Sequence, residues 1–342
     1  MEAQSIRLTN LQQLNAGTYS LILDVRSPGE YKQGHVPGAV NLPLLNNEER
    51  HMVGITYKQE GNHAAVRKGF ELVGHRFASF IDQARALAGN GDMLVYCWRG
   101  GLRSTVMQWL LHTSGCRVSR LHGGYKAFRK LVLDEFRIPH RLIILAGKTG
   151  VGKTEVLLCM QEMGQAVIDL EALASHKGSA FGGLGMGEQP SCEHFENMLA
   201  LQLHSFSEKQ IWLESESRSI GKVKIPDGVY ENMCTSPTIV LERDEDLRIQ
   251  RILNEYSHFD KALLDEKTQL ISKKMGYDQV KLATQWLAED NFREWVRILF
   301  KYYDKTYLYG LSLRELSKLK VLNTGNEKKM HSIALKILAI AK

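Results

Sequence analysis

Proline is scarce in this sequence, cysteine is rare, and no apolar run is long. The 342 residues contain 7 Pro and 5 Cys, with 44% hydrophobic and 24% charged residues. With no low-complexity stretch, that composition argues against a disordered or collagen-like chain. An odd number of Cys, none in Cys-x-x-Cys spacing, argues against a disulfide framework or a structural zinc site; a reducing, cytoplasmic setting is expected. No run approaches the ~18 apolar residues that cross a bilayer, so no membrane partner is expected. The first residues also lack the basic-then-apolar pattern of a signal peptide.

Acidic residues are missing from one stretch. Residues 93–133 carry seven basic side chains and no acidic one. The formal charge of +6 arises wholly in residues 1–137, which hold 17 Lys and Arg against 11 Asp and Glu, whereas residues 138–342 hold 27 of each. Such a field favours an anionic partner, either a phosphate-like substrate or a nucleic acid. A solvated basic face is the alternative.

At roughly 100–200 residues per domain the chain has room for two. Runs 21–25 and 93–97 read as buried parallel strands, with helices over 104–112 and 125–133. Residues 134–140, containing Pro139, read as a linker. A second alternation follows, with strands at 142–146, 166–170, 211–214 and 238–242 and helices at 153–163 and 193–205. After Arg243 helices predominate, over 247–256, 261–274 and 291–303. Residues 178–187 form a Gly-rich loop. Both halves are therefore expected to be α/β, with boundaries at 1–137 and 138–342 and a helix-rich C-terminal part.

What is present at the end of the second strand is a nucleophile. Cys97 opens the run Cys97 to Ser104, which contains Gly100, Gly101, Arg99 and Arg103. In a strand–loop–helix setting, loop N–H groups and the helix N-terminus favour a thiolate, and the two arginines add charge for an anion. The other four Cys lack such surroundings. The spacing from Cys97 to Arg103 is Cys-x5-Arg, wide enough to seat a tetrahedral oxyanion.

The run Gly147 to Thr154 fits Gly-x4-Gly-Lys-[Ser/Thr] between a predicted strand and a helix, the context that makes it a P-loop. Gly147, Gly150 and Gly152 let the backbone wrap a phosphate, Lys153 reaches an outer phosphate, and Thr154 can ligate Mg²⁺. Polyphosphate binding is indicated more firmly than hydrolysis: the next apolar strand ends in Glu214, with Glu216 and Arg218 nearby, rather than in Asp. The ligand is a nucleotide or another diphosphate. Residues 176–183 are candidates to close over it. Arg243, Arg248 and Arg251 are either a lid or, preferred, a surface helix face. Residues 302–307 suit RNA stacking or helix packing.

Residues 24–43, from Asp24 through His35 to Pro43, closely resemble the N-terminal signature of rhodanese domains. The Cys97 loop matches their active-site loop, and Gly123 to Phe128 resembles their C-terminal signature. The resemblance implies a loop Cys that carries a chalcogen as a persulfide, and a scaffold role for Asp24 and His35. The seven-residue loop departs from the usual six-residue sulfurtransferase loop and points to a phosphate-bearing donor. A rhodanese-like module ahead of a P-loop, with Trp212 to Arg218 following, resembles the tRNA 2-selenouridine synthase family over nearly the whole chain. Residues 53–61 and 64–69 share that likeness.

Membership would imply replacement of sulfur by selenium in 2-thiouridine at the wobble position of tRNAs for Lys, Glu and Gln. Selenophosphate would be the donor, and an S-geranyl intermediate would be made from geranyl diphosphate. It would also imply Cys97 as nucleophile and selenium carrier, tRNA as partner through its anticodon arm, and an enzyme supplying selenophosphate. No tightly bound cofactor is expected beyond Mg²⁺ at Thr154. The competing readings are a Cys-dependent phosphatase, a sulfurtransferase coupled to an NTP-binding domain, and a non-catalytic RNA-binding module.

Overall fold

The computed structural model describes residues 4–14, 17–312 and 314–341. The chain forms two compact units, one of Met1–Glu135 with Ser191–Ser205, the other of Phe136–Pro190 with Phe206–Lys342. They are not two contiguous halves, because the helix Cys192–Ser205 packs with the first unit.

The first unit contains β1 (Ser5–Ile6), β2 (Leu21–Asp24), β3 (Val40–Asn41), β4 (Met93–Tyr96) and β5 (Val118–Leu121). They make one parallel sheet in the order β1-β5-β4-β2-β3. The centre strand β4 is buried along its whole length, as its unbroken Met-Leu-Val-Tyr sequence requires. The helix Leu102–Thr113 brings Val106, Met107, Leu110 and Leu111 to a core shared with Leu23, Val95 and Phe80. Truncating one such leucine to Ala would cost about 2–5 kcal/mol. The helices Asn47–Glu60, Asn62–Val73 and Phe77–Ala88, which include the run 53–69, fill the interval between β3 and β4.

The helix Cys192–Ser205 is held by polar contacts. Arg129 donates to Asn197 Oδ1 at 2.7 Å and Glu196 at 2.6 Å, Tyr125 donates to Glu193 at 2.7 Å, and Asn197 donates to the His35 carbonyl at 2.9 Å. Nothing in the local sequence distinguishes it from a helix of the second sheet.

The second unit contains β6 (Leu142–Gly147), β7 (Ala166–Ile168), β8 (Ile211–Glu214), β9 (Ser219–Ile220), β10 (Val223–Lys224), β11 (Thr238–Glu242) and β12 (Leu319–Asn323). Its parallel sheet runs β12-β11-β6-β8-β7, while β9 and β10 form a separate hairpin. Helices Lys153–Glu162 and Met330–Ala341 supply Val156, Met160, Ile333 and Ile337 to the core under β6 and β11. The C-terminal helices enclose another core around Trp295, Leu264, Ile249 and Leu287.

Several expected bounds move. The first-unit helix Gly124–Glu135 runs into the expected linker. The strand expected at 166–170 stops at Ile168, because Asp169 caps a short helix, Leu170–Ala174, by accepting from Ala172 N at 2.9 Å. The helix expected at 261–274 is two, Lys261–Leu270 and Ser272–Met275, broken at Ile271. The edge strand β12 escaped the reading because its sequence, Leu-Lys-Val-Leu-Asn, alternates weakly and is only half buried. No helix among the described residues is long and apolar enough to cross a membrane.

Candidate functional site

Cys97 directly follows β4 and is 3% exposed. Its Sγ lies 3.2 Å from Ser104 Oγ and 3.7 Å from the Gly101 carbonyl. Ser104 itself donates to that carbonyl at 2.9 Å. The Gly101 carbonyl thus accepts from both the Cys97 thiol and the Ser104 hydroxyl, and once the thiol loses its proton the Ser104 hydroxyl is placed to donate to the sulfur. Gly101 caps the helix Leu102–Thr113. The loop is tied to the turn at 123–126: Tyr125 N donates to Cys97 O and Lys126 N to Trp98 O, both at 2.9 Å. Here a glycine is obligatory, since a Cβ on Gly124 would overlap Cys97 O and Gly100 N. This crossing explains why Gly123 and Gly124 accompany a loop more than 20 positions away.

The two loop arginines differ. Arg99 is exposed. Arg103 forms a forked ion pair with Glu30, at 2.6 and 3.2 Å. Glu30 also accepts from Ser27 N at 3.2 Å and lies 3.4 Å from Arg50. Burial works against this carboxylate, but Arg103, Ser27 and Arg50 outweigh it and hold its pKa below the ordinary value.

Asp24 and Arg26 are both buried and paired at 2.6 Å, and Arg26 donates to Gly34 O at 2.6 Å. The Arg26 guanidinium lies 3.9 Å from the Tyr125 ring centroid. His35 stacks between Tyr31 and His194 at 3.7 and 3.9 Å. The basic stretch 93–133 is partly neutralised by residues outside it. Arg103 meets Glu30, Arg117 meets Asp92 and Arg129 meets Glu196, while Arg99, Lys126 and Lys130 remain exposed.

The P-loop joins β6 to the helix Lys153–Glu162. Gly150, at φ 81°, has no room for a side chain: a Cβ would lie 2.8 Å from the Arg248 carbonyl oxygen. Arg248 is 4% exposed, donates to Thr149 O at 2.8 Å and pairs with Asp304 at 2.6 Å. Arg243 donates to Val151 O at 3.2 Å, and Arg251 pairs with Glu155. These arginines are thus not a surface face, the reading preferred from sequence. Arg243 and Arg248 hold P-loop carbonyls, and Arg251 anchors to the helix that follows.

Lys153 Nζ lies 3.2 Å from both Gly147 O and Glu214 Oε1, and Thr154 donates to Glu214 Oε2 at 3.0 Å. Glu214, Glu216 and Glu171 offer carboxylate oxygens within 4.8 Å of one another. Burial, followed by repulsion from neighbouring carboxylates, pushes Glu171 up to about 9 and Glu216 up to about 8. Burial opposes the Lys153 charge, but the three glutamates outweigh it and raise its pKa.

Glu171 was missed from sequence, because it lies on the short helix after β7 and reaches the P-loop only through the fold. Its one local signal is its position beside Asp169 at a strand end. Arg218 is not brought to this cluster; it forms an exposed pair with Asp227 at 2.5 Å.

A cleft of about 1680 Å³ opens over the P-loop and these carboxylates. Of the 176–183 loop, residues 176–181 line it, with Lys177 paired to Glu255. Apolar and aromatic side chains also line it, including Phe181, Tyr256, Trp295, Leu299, Tyr302 and Tyr303. Tyr303 accepts from Ala180 N at 3.3 Å, so the 302–307 segment packs within its own unit.

Residues 9–131 match the family described as the rhodanese-like domain, and residues 140–280 the one described as the tRNA 2-selenouridine synthase AAA domain. A tRNA 2-selenouridine synthase of a Sulfurovum species is 34% identical over 352 residues, covering 91% of this chain and 93% of that protein. One of Shewanella denitrificans is 31% identical over 359 residues, covering 91% and 93%. A crystal structure of an N-terminal domain from Clostridium difficile 630 shares 39% identity over 38% of this chain and 99% of that domain, with a TM-score of 0.35.

Proposed function

The chain belongs to the tRNA 2-selenouridine synthase family, and on that premise we propose that it replaces sulfur with selenium in the wobble 2-thiouridine of tRNAs for Lys, Glu and Gln. Selenophosphate is the donor and an S-geranyl nucleoside the intermediate. One observation carries the geranyl part: the cleft over the P-loop is lined by apolar and aromatic side chains as well as by the phosphate cradle. A diphosphate with a hydrocarbon tail satisfies both.

In the first step the nucleoside sulfur attacks the allylic carbon of geranyl diphosphate. The carbon–oxygen bond breaks, diphosphate leaves, and the N3 proton is released. Lys153 and the loop N–H groups stabilise the charge on the leaving diphosphate. S-alkylation turns a thiocarbonyl sulfur into a good leaving group. Glu171, Glu214 and Glu216 with Thr154 are a suitable oxygen donor set for Mg²⁺, since three crowded carboxylates ionise together only beside a cation. When bound, Mg²⁺ would supply charge neutralisation for the diphosphate.

In the second step Cys97 is the nucleophile toward selenophosphate, with Arg99, Gly100 and Gly101 facing the donor's phosphate. Arg103 joins them only by giving up Glu30. Attack of the thiolate on phosphorus breaks the P–Se bond, leaves a phosphoryl group on sulfur and releases hydroselenide, with no change in oxidation state. Hydroselenide adds at C2 and geranylthiol departs, and water then hydrolyses the S–P bond. Carriage of selenium on Cys97 as a selenylsulfide would instead require a two-electron oxidant to join selenide-level selenium to the thiol, and then a thiol to reduce the S–Se bond.

Mass spectrometry of the intact protein after selenophosphate alone separates these routes, by phosphoryl or selenium on Cys97. The whole reading is tested by titrating the protein with geranyl diphosphate and following wobble nucleosides. Binding of ATP or GTP in its place, with nucleotide hydrolysis and normal geranylation by a Lys153→Ala variant, would overturn the ligand assignment.

A further inference from the structure

A second cavity, of about 220 Å³, lies in the first unit against the Cys97 loop. Trp98 lines it from the loop, Arg103 from the first turn of the helix Leu102–Thr113, Arg26 from the segment after β2, Glu30, Gln33 and Arg50 from two helices, and Glu193 from the helix Cys192–Ser205. Its volume suits one small ring system. Trp98 is 38% exposed although it directly follows a Cys that is 3% exposed. It is backed by the Tyr125 ring at 5.7 Å and by the Arg26 guanidinium at 6.0 Å. The result is a supported aromatic platform with an open side.

The polar lining is mixed. Glu30 and Glu193 are acceptors, Arg50 and Arg103 are donors, and the exposed Gln33 amide is both. Arg26 also lines the cavity but is engaged by Asp24 and the Gly34 carbonyl, so the two carboxylates offset the two remaining arginines and leave no net positive charge for the donor's phosphate. They suit a neutral heterocycle that places an N–H beside a carbonyl. Arg50 reaches Glu30 only at 3.4 Å and is 53% exposed, so most of its donors remain for a ligand. A pyrimidine of the uridine class presents the matching edge, N3–H next to O4.

We infer that this cavity seats the wobble base itself, stacked on Trp98, with Arg50 or Gln33 donating to O4 and Glu30 or Glu193 accepting from N3–H in the 2-thiouridine and 2-selenouridine forms; in the S-geranyl form, which lacks that proton, N3 accepts from Arg50 or Gln33 instead. The C2 substituent is then left free for the chemistry of the adjoining loop. A base in an anticodon loop is unpaired, so turning it into a pocket breaks no base pair. The inference rests on the proposed wobble-uridine substrate.

The test uses the full chain and anticodon stem-loop RNAs that carry 2-thiouridine or an abasic site at the wobble position. Wild type should bind the thiouridine RNA about tenfold more tightly, the scale of one stacked base. Trp98→Ala should lose that preference while binding the abasic RNA as wild type does, and Trp98→Phe should restore most of it. Retention of the preference by Trp98→Ala overturns the assignment. So does a wild type that converts full-length tRNA yet binds both RNAs equally, which leaves the proposed function standing. A wild type that neither binds the stem-loop nor converts tRNA overturns the function and this inference together.

Discussion

The Cys97 loop and the P-loop occupy the same place in two different sheets. Each follows the centre strand of a five-stranded parallel sheet, β4 or β6, and each turns through glycines into a helix N-terminus. Both have the backbone form of an anion cradle, glycines leading into a helix N-terminus. They differ in how the surrounding fold treats carboxylates. Beside Cys97 the carboxylate Glu30 is matched to Arg103 and Arg50 and its pKa is lowered. Beside Lys153 three glutamates crowd one ammonium, and two of them are pushed up. One cradle is balanced around a buried thiol, and the other is over-supplied with negative charge that a cation would relieve. Shared backbone geometry therefore fixes what kind of group can bind, while the charges brought by distant segments decide the chemistry.

The largest expected effect comes from removing the one group the P-loop has no equivalent for. Cys97→Ser should fold and bind tRNA normally, because the change is nearly isosteric and Ser104 still offers a partner. It should yield no detectable 2-selenouridine while S-geranyl-2-thiouridine accumulates, as read by nucleoside mass spectrometry. Normal selenium incorporation would remove Cys97 from the chemistry.

Next in size is Lys153→Ala. A charge-assisted contact to phosphate contributes roughly 1.5–3 kcal/mol, so affinity for geranyl diphosphate should fall on the order of 10–150-fold. Unmodified 2-thiouridine should build up, yet tRNA supplied already geranylated should still acquire selenium. If that tRNA is also left unselenated, the two cradles are not separable steps.

Two effects on stability should have opposite signs for the same chemical change. Glu30→Gln removes a matched charge and should destabilise the first unit by about 1–2 kcal/mol. Because the folded pKa of Glu30 is depressed, its contribution is present above the unfolded value of about 4.3 and is lost as pH falls through the folded value. The variant should show a flatter acid limb in a pH series of thermal unfolding.

Glu216→Gln removes a crowded charge. The folded pKa, about 8, lies above the unfolded one, so wild-type stability declines as pH rises from about 4.3 to about 8. Without divalent cation the variant should therefore lack that decline and be the more stable protein at pH 7.5, by up to about 4 kcal/mol. Destabilisation by both substitutions would mean that the contrast between the cradles is not electrostatic.

Both cradles were legible in the sequence for a local reason. Gly-rich spacing between an apolar run and a helical pattern encodes a strand–loop–helix within about 15 residues. What surrounds them was not legible, because it comes from far along the chain. Glu30 meets Arg103 across 73 positions, and Arg248 meets Thr149 across 99. Glu171 and Glu214 converge only because β7 lies beside β8 and β8 beside β6. The charge excess in 93–133 was visible, but its partial cancellation by Glu30, Asp92 and Glu196 was not. The helix Cys192–Ser205 had the right periodicity and no mark of which sheet it would join.

That helix also bears on how the protein is made. The first unit takes its last structural piece from residues that follow β6, the P-loop and β7 in the chain. During synthesis the sheet that carries Cys97 emerges early but lacks the partners of Tyr125 and Arg129 until Glu193, Glu196 and Asn197 have followed it. The two units are thereby committed to maturing in an interleaved order. A fragment ending at Glu135 would leave the Tyr125 hydroxyl and the Arg129 guanidinium of the helix Gly124–Glu135 without these partners.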